Sequence, residues 1–402
     1  LIREMIRNVY KECKGVPKSN CLTKEQRLSL QMDEFMNRRY EFRYNTQIGE
    51  VEYRERFSFQ FYFHPIDKRA QNSIMLDAQS EGIGVWDRDI DRYLHSNRVP
   101  IYNPLEEFLF HLPHWDGKDR IHALANRVPC KNPHWELLFH RWFLNMVSHW
   151  RGVDKMHANN TSPILVGRQG THKSTFCREM IPPALRAYYT DSIDFSHKRD
   201  AELYLNRFAL INIDEFDQIT LPQQGFLKHI LQKPVVNLRK PHGRSVLELQ
   251  RYASFIGTSN QKDLLTDPSG SRRFICIEVT GNIDTTQPID YEQLYAQAMH
   301  EIHHGERYWF DSEDEQIMTE NNREFEQTPA MLQLFYQYFK TAQTKEEGEF
   351  LTPVEILNYL KKKSGMSLSD NKVYHFGRLL QKCGIPSKHT YKGTVYQVIK
   401  LS

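Results

Sequence analysis

No stretch of this 402-residue chain offers the roughly 20 consecutive apolar residues that a membrane-spanning helix needs. A transmembrane protein is therefore excluded, and no membrane partner is expected. Patterned cysteine is also missing. The six cysteines, at 13, 21, 130, 177, 276 and 383, are dispersed and form no CxxC pair. A zinc ribbon or disulfide framework needs closer spacing, so reduced cysteines in a cytoplasmic protein are expected. The adjacent His303 and His304 are poorly placed for joint chelation on a helix. Structural or surface roles suit them better. Internal repeats and long low-complexity segments are absent. Leu1–Tyr10 mixes charges without the apolar block of a signal peptide. The chain opens on Leu rather than Met, as a fragment lacking an upstream domain would.

What is present is ample core material. Hydrophobic residues make up 40% and aromatic residues 12%, which excludes disorder as the main state. The length suits two or three domains. A net charge of +3 is too small to imply nucleic-acid binding by itself. Its distribution says more. From Met331 to Ser402 there are eleven Lys and Arg against five Asp and Glu, giving +6 there and −3 elsewhere. A small basic tail on a nearly neutral body is a nucleic-acid-binding arrangement. The plainer alternative is a solvated basic face.

Along the chain, residues 1–100 read as a mixed α/β region, with a helix around Lys24–Arg39 and period-two alternation predicting a strand over Val51–Phe63. Residues 101–158 read as a helical lead-in. Its apolar Trp135–Trp150 spacing predicts a helix whose aromatics are core rather than a platform for bases. Residues 159–325 alternate short apolar strands with helical patterns, the mark of α/β architecture. Gly281–Pro288 reads as a loop and Tyr291–His304 as a helix. Residues 326–402 predict helices at Met331–Ala342, Thr352–Lys363 and Lys372–Cys383, then a strand or hairpin at Tyr391–Lys400. Helices followed by a terminal β-ribbon suggest a basic winged-helix-like domain.

The sharpest signal is Pro163-Ile-Leu-Val-Gly-Arg-Gln-Gly-Thr-His-Lys-Ser-Thr-Phe176. An apolar strand enters a loop containing Gly167, Gly170, Thr171 and His172, and Lys173, Ser174 and Thr175 open a helix. Loop amides and a helix N-terminus can surround phosphate oxygens. Lys173 would contact the β- and γ-phosphates of ATP, and Ser174 would bind Mg²⁺. The P-loop pattern expects Gly before Lys, where this chain has His172. Histidine tolerates positive φ better than most side chains, at some cost in strain. Downstream, Phe208-Ala-Leu-Ile-Asn-Ile-Asp-Glu-Phe-Asp217 is an apolar strand ending in Asp214, which can hold Mg²⁺ through water, and Glu215, which can polarise an attacking water. The plainer reading is a strand with a solvated acidic turn. A third strand, Ala253–Asn260, ends in an amide that, beside the first two, can sense a γ-phosphate or orient the attacking water, the plainer reading being a turn residue. Arg272 and Arg273 precede a fourth, where either can stabilise charge on a neighbouring subunit's nucleotide or simply form surface salt bridges.

This ordered set resembles the AAA+-type helicases of superfamily III, and within them the virulence-associated E family of bacterial mobile elements. Tyr102–Ile121 is similar to that family's lead-in segment, so the likeness spans roughly 101–280. The tail from about 325 resembles a small domain found on such proteins in Bacteroides-type bacteria. The resemblance implies an AAA+-type P-loop NTPase core. It matches Lys173, Ser174, Asp214, Glu215 and Asn260 to Walker A, Walker B and sensor positions, and Arg272 or Arg273 to the arginine finger. Val235–Leu249 reads as a hairpin around Lys240-Pro-His-Gly243. Superfamily III helicases carry a hairpin there, so Arg239, Lys240, His242 and Arg244 are implied DNA contacts. A solvent-exposed basic turn is the plainer alternative. A hexameric ring on single-stranded or forked DNA, working with an upstream or separate primase, completes the expectation. Two other classes compete. A nucleotide-controlled DNA-binding or regulatory assembly with weak hydrolysis is favoured by His172. A small-molecule kinase would leave Asn260 and the paired arginines without roles.

Overall fold

The computed structural model describes residues 22–59, 61–152, 154, 156–238, 247–265, 268–327, 330–342, 347–365, 373–391 and 393–401. The chain packs as two compact units. One comprises the residues through Asn260 together with Arg272–Met318, and the other comprises Gln261–Ser271 and the residues from Thr319 onward.

The first unit begins with a small α/β layer. Helix α1 (Lys24–Arg39) opens on a reciprocal cap, in which the Gln26 amide donates to the Thr23 hydroxyl and the Thr23 amide to the Gln26 side chain. Strands β1 (Tyr40–Asn45), β2 (Glu50–Glu55) and β3 (His64–Pro65), helices α2 (Lys68–Ser80) and α3 (Asp87–Leu94), and strand β4 (Ile101–Tyr102) follow. The sheet runs β3-β2-β1-β4, with Phe35, Met36, Ile74 and Ile90 in the core beside it. The single strand expected over Val51–Phe63 is not formed. β2 stops at Glu55 because its partner β1 starts at Tyr40, paired with Glu55, and Arg39 before it belongs to α1. Phe57 then turns the chain at φ 62°, and Phe57, Phe59, Phe61 and Tyr62 lie exposed.

Helices α4 (Pro104–Phe110), α5 (Arg120–Ala125) and α6 (Trp135–Trp150) come next. On α6 the expected core role holds: Trp135, Phe139, Trp142, Phe143 and Trp150 are all buried. The chain then runs through β5 (Ser162–Val166), α7 (Lys173–Glu179), β6 (Tyr189–Thr190), α8 (Lys198–Arg207), β7 (Leu210–Ile213), α9 (Leu221–Leu231), β8 (Val235–Leu238), β9 (Leu247–Gln250), β10 (Ser254–Ser259), β11 (Phe274–Glu278) and α10 (Tyr291–His303). Five strands form one parallel sheet in the order β11-β5-β10-β7-β6. β5, β7 and β10 are buried along their whole length and β11 in all but its last residue, as a parallel sheet covered on both faces requires. Tyr295 of α10 stacks on Trp150 at 5.0 Å and meets Phe143 at 5.3 Å, joining α10 and α6 into one core with the sheet. β8 and β9 pair antiparallel as a separate ribbon. Its tip, with Arg239, Lys240, His242 and Arg244, lies outside the described residues.

At the N-terminal ends of the sheet strands sits a buried polar knot. Arg251, fully buried, donates to the carbonyls of Leu231 (2.7 Å), Lys233 (2.8 Å), Asn159 (2.9 Å) and Ala253 (2.9 Å). It thereby caps the C-terminus of α9 and fixes the foot of the β8–β9 ribbon. Burial lowers its pKa to about 9.

Helix α11 (Ser312–Asn322) contains the point of division between the units. In the second unit, α12 (Ala330–Tyr338) hands over to β12 (Phe339–Thr341), so the helix expected to Ala342 ends four residues early. The segment Phe339-Lys-Thr341 pairs antiparallel with the end of the terminal strand instead. β13 (Glu349–Leu351), α13 (Pro353–Ser364), α14 (Val373–Lys382), β14 (Ser387–Thr390) and β15 (Gly393–Lys400) complete it. β15 is the hub, pairing with β12, β13 and β14. Phe335, Ile356, Leu360, Phe376, Leu380 and Val398 form its core.

The knot makes stability pH-dependent. His149 of α6 is buried, and its Nε2 accepts from the Asn159 amide at 2.8 Å. Desolvation, then the Arg251 charge, lower its pKa from 6.5 to about 3. Between those values the unfolded chain holds a proton that the native chain does not, so this contribution is complete above pH 6.5 and is lost as pH falls towards 3. Denaturant titrations should show the wild type losing about 2 kcal/mol more than His149→Gln between pH 6.5 and 5.

Candidate functional site

Three adjacent parallel strands, β5, β10 and β7, deliver their C-terminal ends side by side. The cleft they open is about 320 Å³ and is lined by Gly170, Thr171, His172, Lys173, Ser174 and Thr175 from one side and by Asp214, Glu215, Thr258 and Asn260 from the other. The order in space differs from that in sequence. β10, last of the three in the chain, lies between the other two, so Asn260 emerges between Lys173 and the Asp214–Glu215 turn. Such a crevice outside the carboxyl ends of a parallel sheet is where ligands of this architecture bind.

The loop from β5 to α7 is built on close approach. A Cβ at Gly167 would lie 3.0 Å from the Val279 carbonyl oxygen, and the Gly167 amide donates to Ser259 at 3.0 Å. Gly170 turns at φ 84° and His172 at φ 64°. The left-handed conformation that glycine would supply before Lys173 is thus adopted by a histidine. Glu215 is left-handed too, at φ 52°. Of the three non-glycine residues with positive φ among those described, two line this cleft, which is where strained backbone tends to concentrate.

Lys173 is buried, and its ammonium donates to the carbonyls of Gly167 and Arg168, both at 2.8 Å, and to Asn260 Oδ1 at 3.2 Å. Desolvation lowers its pKa, while Asp214 and Asp217 oppose that shift. The Ser174 hydroxyl donates to Asp214 Oδ1 at 3.0 Å, and the Thr258 hydroxyl donates to the same oxygen. The Ser259 hydroxyl donates to Asp217 at 2.8 Å. Thr258, Ser259 and Asp217 were not singled out from sequence. The signal was present, since Thr258-Ser259-Asn260 puts three polar side chains at the end of an apolar strand.

Seven of the expected phosphate- and metal-facing residues, from Gly170 to Thr175 and including Asp214, therefore line one cleft with Glu215 and Asn260. Gly167 supports its floor. Arg272 and Arg273 are not among the lining residues. Arg272 instead donates to Glu315 at 2.8 Å from a half-exposed position. Among the described residues no group of three or more His, Cys, Asp or Glu is placed to hold a metal ion. The described cysteines, Cys130, Cys177, Cys276 and Cys383, form no disulfide. No helix of the described residues is long and apolar enough to cross a membrane.

The fold and cleft define a mixed α/β protein with a parallel sheet and a strand–loop–helix site at its carboxyl edge. Residues 109–327, more than half of the chain, match the virulence-associated protein E-like domain, and the chain belongs to that family. Residues 328–398 match a second family, described as a domain of unknown function from a B. theta gene description. Solved structures similar to the chain include the apo structure of the NrS-1 C-terminal region. It is 12% identical, covers 92% of this chain and 98% of its own, and has a TM-score of 0.46. An A-form apo structure of the same region is 11% identical, covers 90% and 96%, and has a TM-score of 0.44. No curated protein matches the chain.

His172 generates a test of the loop. A β-branched residue at this φ is strained, so His172→Val should cost about 1–2 kcal/mol in denaturant unfolding. His172→Gly should stay within about 1 kcal/mol of wild type, because relief of strain is offset by the entropy of a more flexible unfolded chain.

Proposed function

We propose that this chain is an ATP-dependent DNA helicase or translocase of superfamily III type, with an AAA+-type P-loop core and a winged-helix-like tail, acting in replication of a bacterial mobile element. The observation that carries this reading is the convergence of Lys173, Ser174, Asp214, Glu215 and Asn260 on one cleft from three neighbouring strands. Family membership supports it. A kinase needs neither the amide beside the lysine nor an arginine pair kept away from its own cleft.

The donor set fits ATP with Mg²⁺. Ser174 and Asp214 already share a hydrogen bond, so their oxygens stand close enough to hold one hydrated divalent cation between them. Bound Mg²⁺ would neutralise charge on the β- and γ-phosphates. Lys173 would turn from the Gly167 and Arg168 carbonyls to those phosphates. Glu215, held by its left-handed turn at the rim, would orient and deprotonate the attacking water, and Asn260 would position it. Arg272 or Arg273 would serve a neighbouring subunit's cleft, Arg272 after leaving Glu315. Such a division of labour requires a homo-oligomer, and a hexameric ring satisfies it.

In this reading the β8–β9 ribbon carries Arg239, Lys240, His242 and Arg244 to the phosphates of a single strand, a sequence-tolerant contact weakened by salt. Arg251 ties its foot to α9, which follows the Glu215 turn, so motion at the cleft has a rigid path to the ribbon.

ATP hydrolysis with and without single-stranded DNA is the deciding measurement. DNA should stimulate turnover in the wild type, and Glu215→Gln should lower it by about 10²-fold or more while still binding ATP. Absent turnover in wild type with ATP still bound would instead favour a nucleotide-controlled DNA-binding assembly. His172, at its left-handed position, is the observation behind that second reading, and His172→Gly would then be tested for restored turnover. The ribbon has its own check: Lys240→Ala combined with His242→Ala should weaken single-strand affinity or DNA stimulation with ATP binding intact. Unchanged affinity and stimulation would remove the ribbon from the DNA path.

A further inference from the structure

The three residues that close β10 each hold a different charged side chain of the cleft. The Thr258 hydroxyl donates to Asp214 Oδ1, the Ser259 hydroxyl donates to Asp217 at 2.8 Å, and Asn260 Oδ1 accepts from the Lys173 ammonium at 3.2 Å. Asn260 and Lys173 already have parts in the proposed chemistry. Thr258 has none, yet it is buried and lines the cleft.

Its bond makes the two oxygens of one carboxylate unequal. Asp214 Oδ1 receives two hydroxyls, from Ser174 at 3.0 Å and from Thr258, so both lone pairs of that oxygen are engaged. Asp214 Oδ2 receives no donor among the described residues. One oxygen is tied to the protein and the other is left for a ligand. The two hydroxyls also differ from each other. Ser174 opens α7 and, on the proposed reading, must lend its own oxygen to the cation as well. Thr258 has no such second duty. It sits on the central strand, in register with Leu165 of β5, and its branched side chain has few rotamers to visit.

We infer that Thr258 is a positioning residue for divalent-cation binding. Its hydroxyl fixes the rotation of the Asp214 carboxylate, which keeps Oδ2 available to the hydration shell of a cation held with the nucleotide phosphates. The inference rests on the proposed reading of the cleft as an ATP and Mg²⁺ site, and it adds which oxygen of Asp214 serves and what aims it. A hydroxyl present only to meet its own hydrogen-bonding need would behave differently. Its removal would lower stability and leave the response to Mg²⁺ unchanged. Removing a group that orients a metal-holding side chain typically costs about 10- to 100-fold in metal affinity or activity.

The test uses the full chain and a fluorescent ATP analogue, first in EDTA and then through a Mg²⁺ titration. In the wild type, Mg²⁺ should tighten binding of the analogue. Thr258→Val keeps the shape of the side chain and removes the hydroxyl. It should bind the metal-free analogue as the wild type does, and need at least about tenfold more Mg²⁺ to reach half of the tightening. Thr258→Ser, which restores the donor, should lie nearer the wild type than the valine variant. An unchanged Mg²⁺ requirement in Thr258→Val would overturn the inference alone. Loss of metal-free affinity in that variant would assign Thr258 to the shape of the cleft and overturn it equally. A wild type that binds no analogue in either condition would overturn the ATP reading and this inference together.

Discussion

The candidate site rests on how tightly β10 is inserted between β5 and β7. Gly257 is the pinch point: a Cβ there would stand 2.8 Å from Ile164 Cδ1 on one neighbour and 3.2 Å from the Ile213 carbonyl oxygen on the other. Even an alanine there would have to turn the Ile164 side chain aside and press the Ile213 carbonyl back by a few tenths of an ångström, and a larger side chain would push on both strands. The parallel registers Gly257 with Ile164 and Gly257 with Ile213 follow from this fit. Those registers set the heights at which the three strands end. Lys173 meets Asn260, Ser174 meets Asp214, and Thr258 reaches Asp214, all as consequences of strand stagger rather than of loop flexibility.

The opposite edge of the same sheet is anchored by different physics. Arg251 is fully buried and has its guanidinium satisfied by backbone carbonyls instead of a carboxylate. A buried charge is tolerable only when its donors are met, and here they are met by groups at a helix end that otherwise lack partners. The cost appears as the depressed pKa values of Arg251 and His149. In return, α9, the ribbon foot and the segment entering β5 are held at one point. Apolar packing alone would let the ribbon foot slide along the sheet edge, whereas directional hydrogen bonds do not.

Sequence periodicity captured what depends on local pattern. The helices Lys24–Arg39 and Trp135–Trp150 begin and end where the residue pattern places them, the first helped by its Thr23 cap and the second by apolar spacing alone. The aspartate and asparagine of the cleft were legible because each closes an apolar run, and the lysine and serine because they open a helix after a glycine-bearing loop. Partner-dependent features were not. The aromatic alternation after Glu55 cannot become strand without a neighbour, and β1 has no residues left to pair. The short strands β12 and β13 exist because β15 offers them edges, something no window of three residues encodes. Thr258 and Asp217 were missed for the same reason, since their roles come from the strand beside them.

His172 shows how a departure from pattern can preserve geometry while changing energetics. The turn before α7 adopts at His172 the left-handed conformation that the P-loop pattern would give to glycine. The difference lies in the unfolded chain and in the stiffness of the turn. A histidine held at φ 64° has fewer neighbouring conformations to visit than glycine would. Lys173, next in sequence, is retracted onto the Gly167 and Arg168 carbonyls and onto Asn260. On the proposed reading, an incoming phosphate must outbid those three acceptors before the amide of Asn260 is released towards the water it would position. A stiffer turn confines Lys173 to two arrangements, bound to the loop or bound to phosphate, with little between them. On that reading, a loop substitution would leave nucleotide affinity nearly intact and still govern how often Asn260 engages.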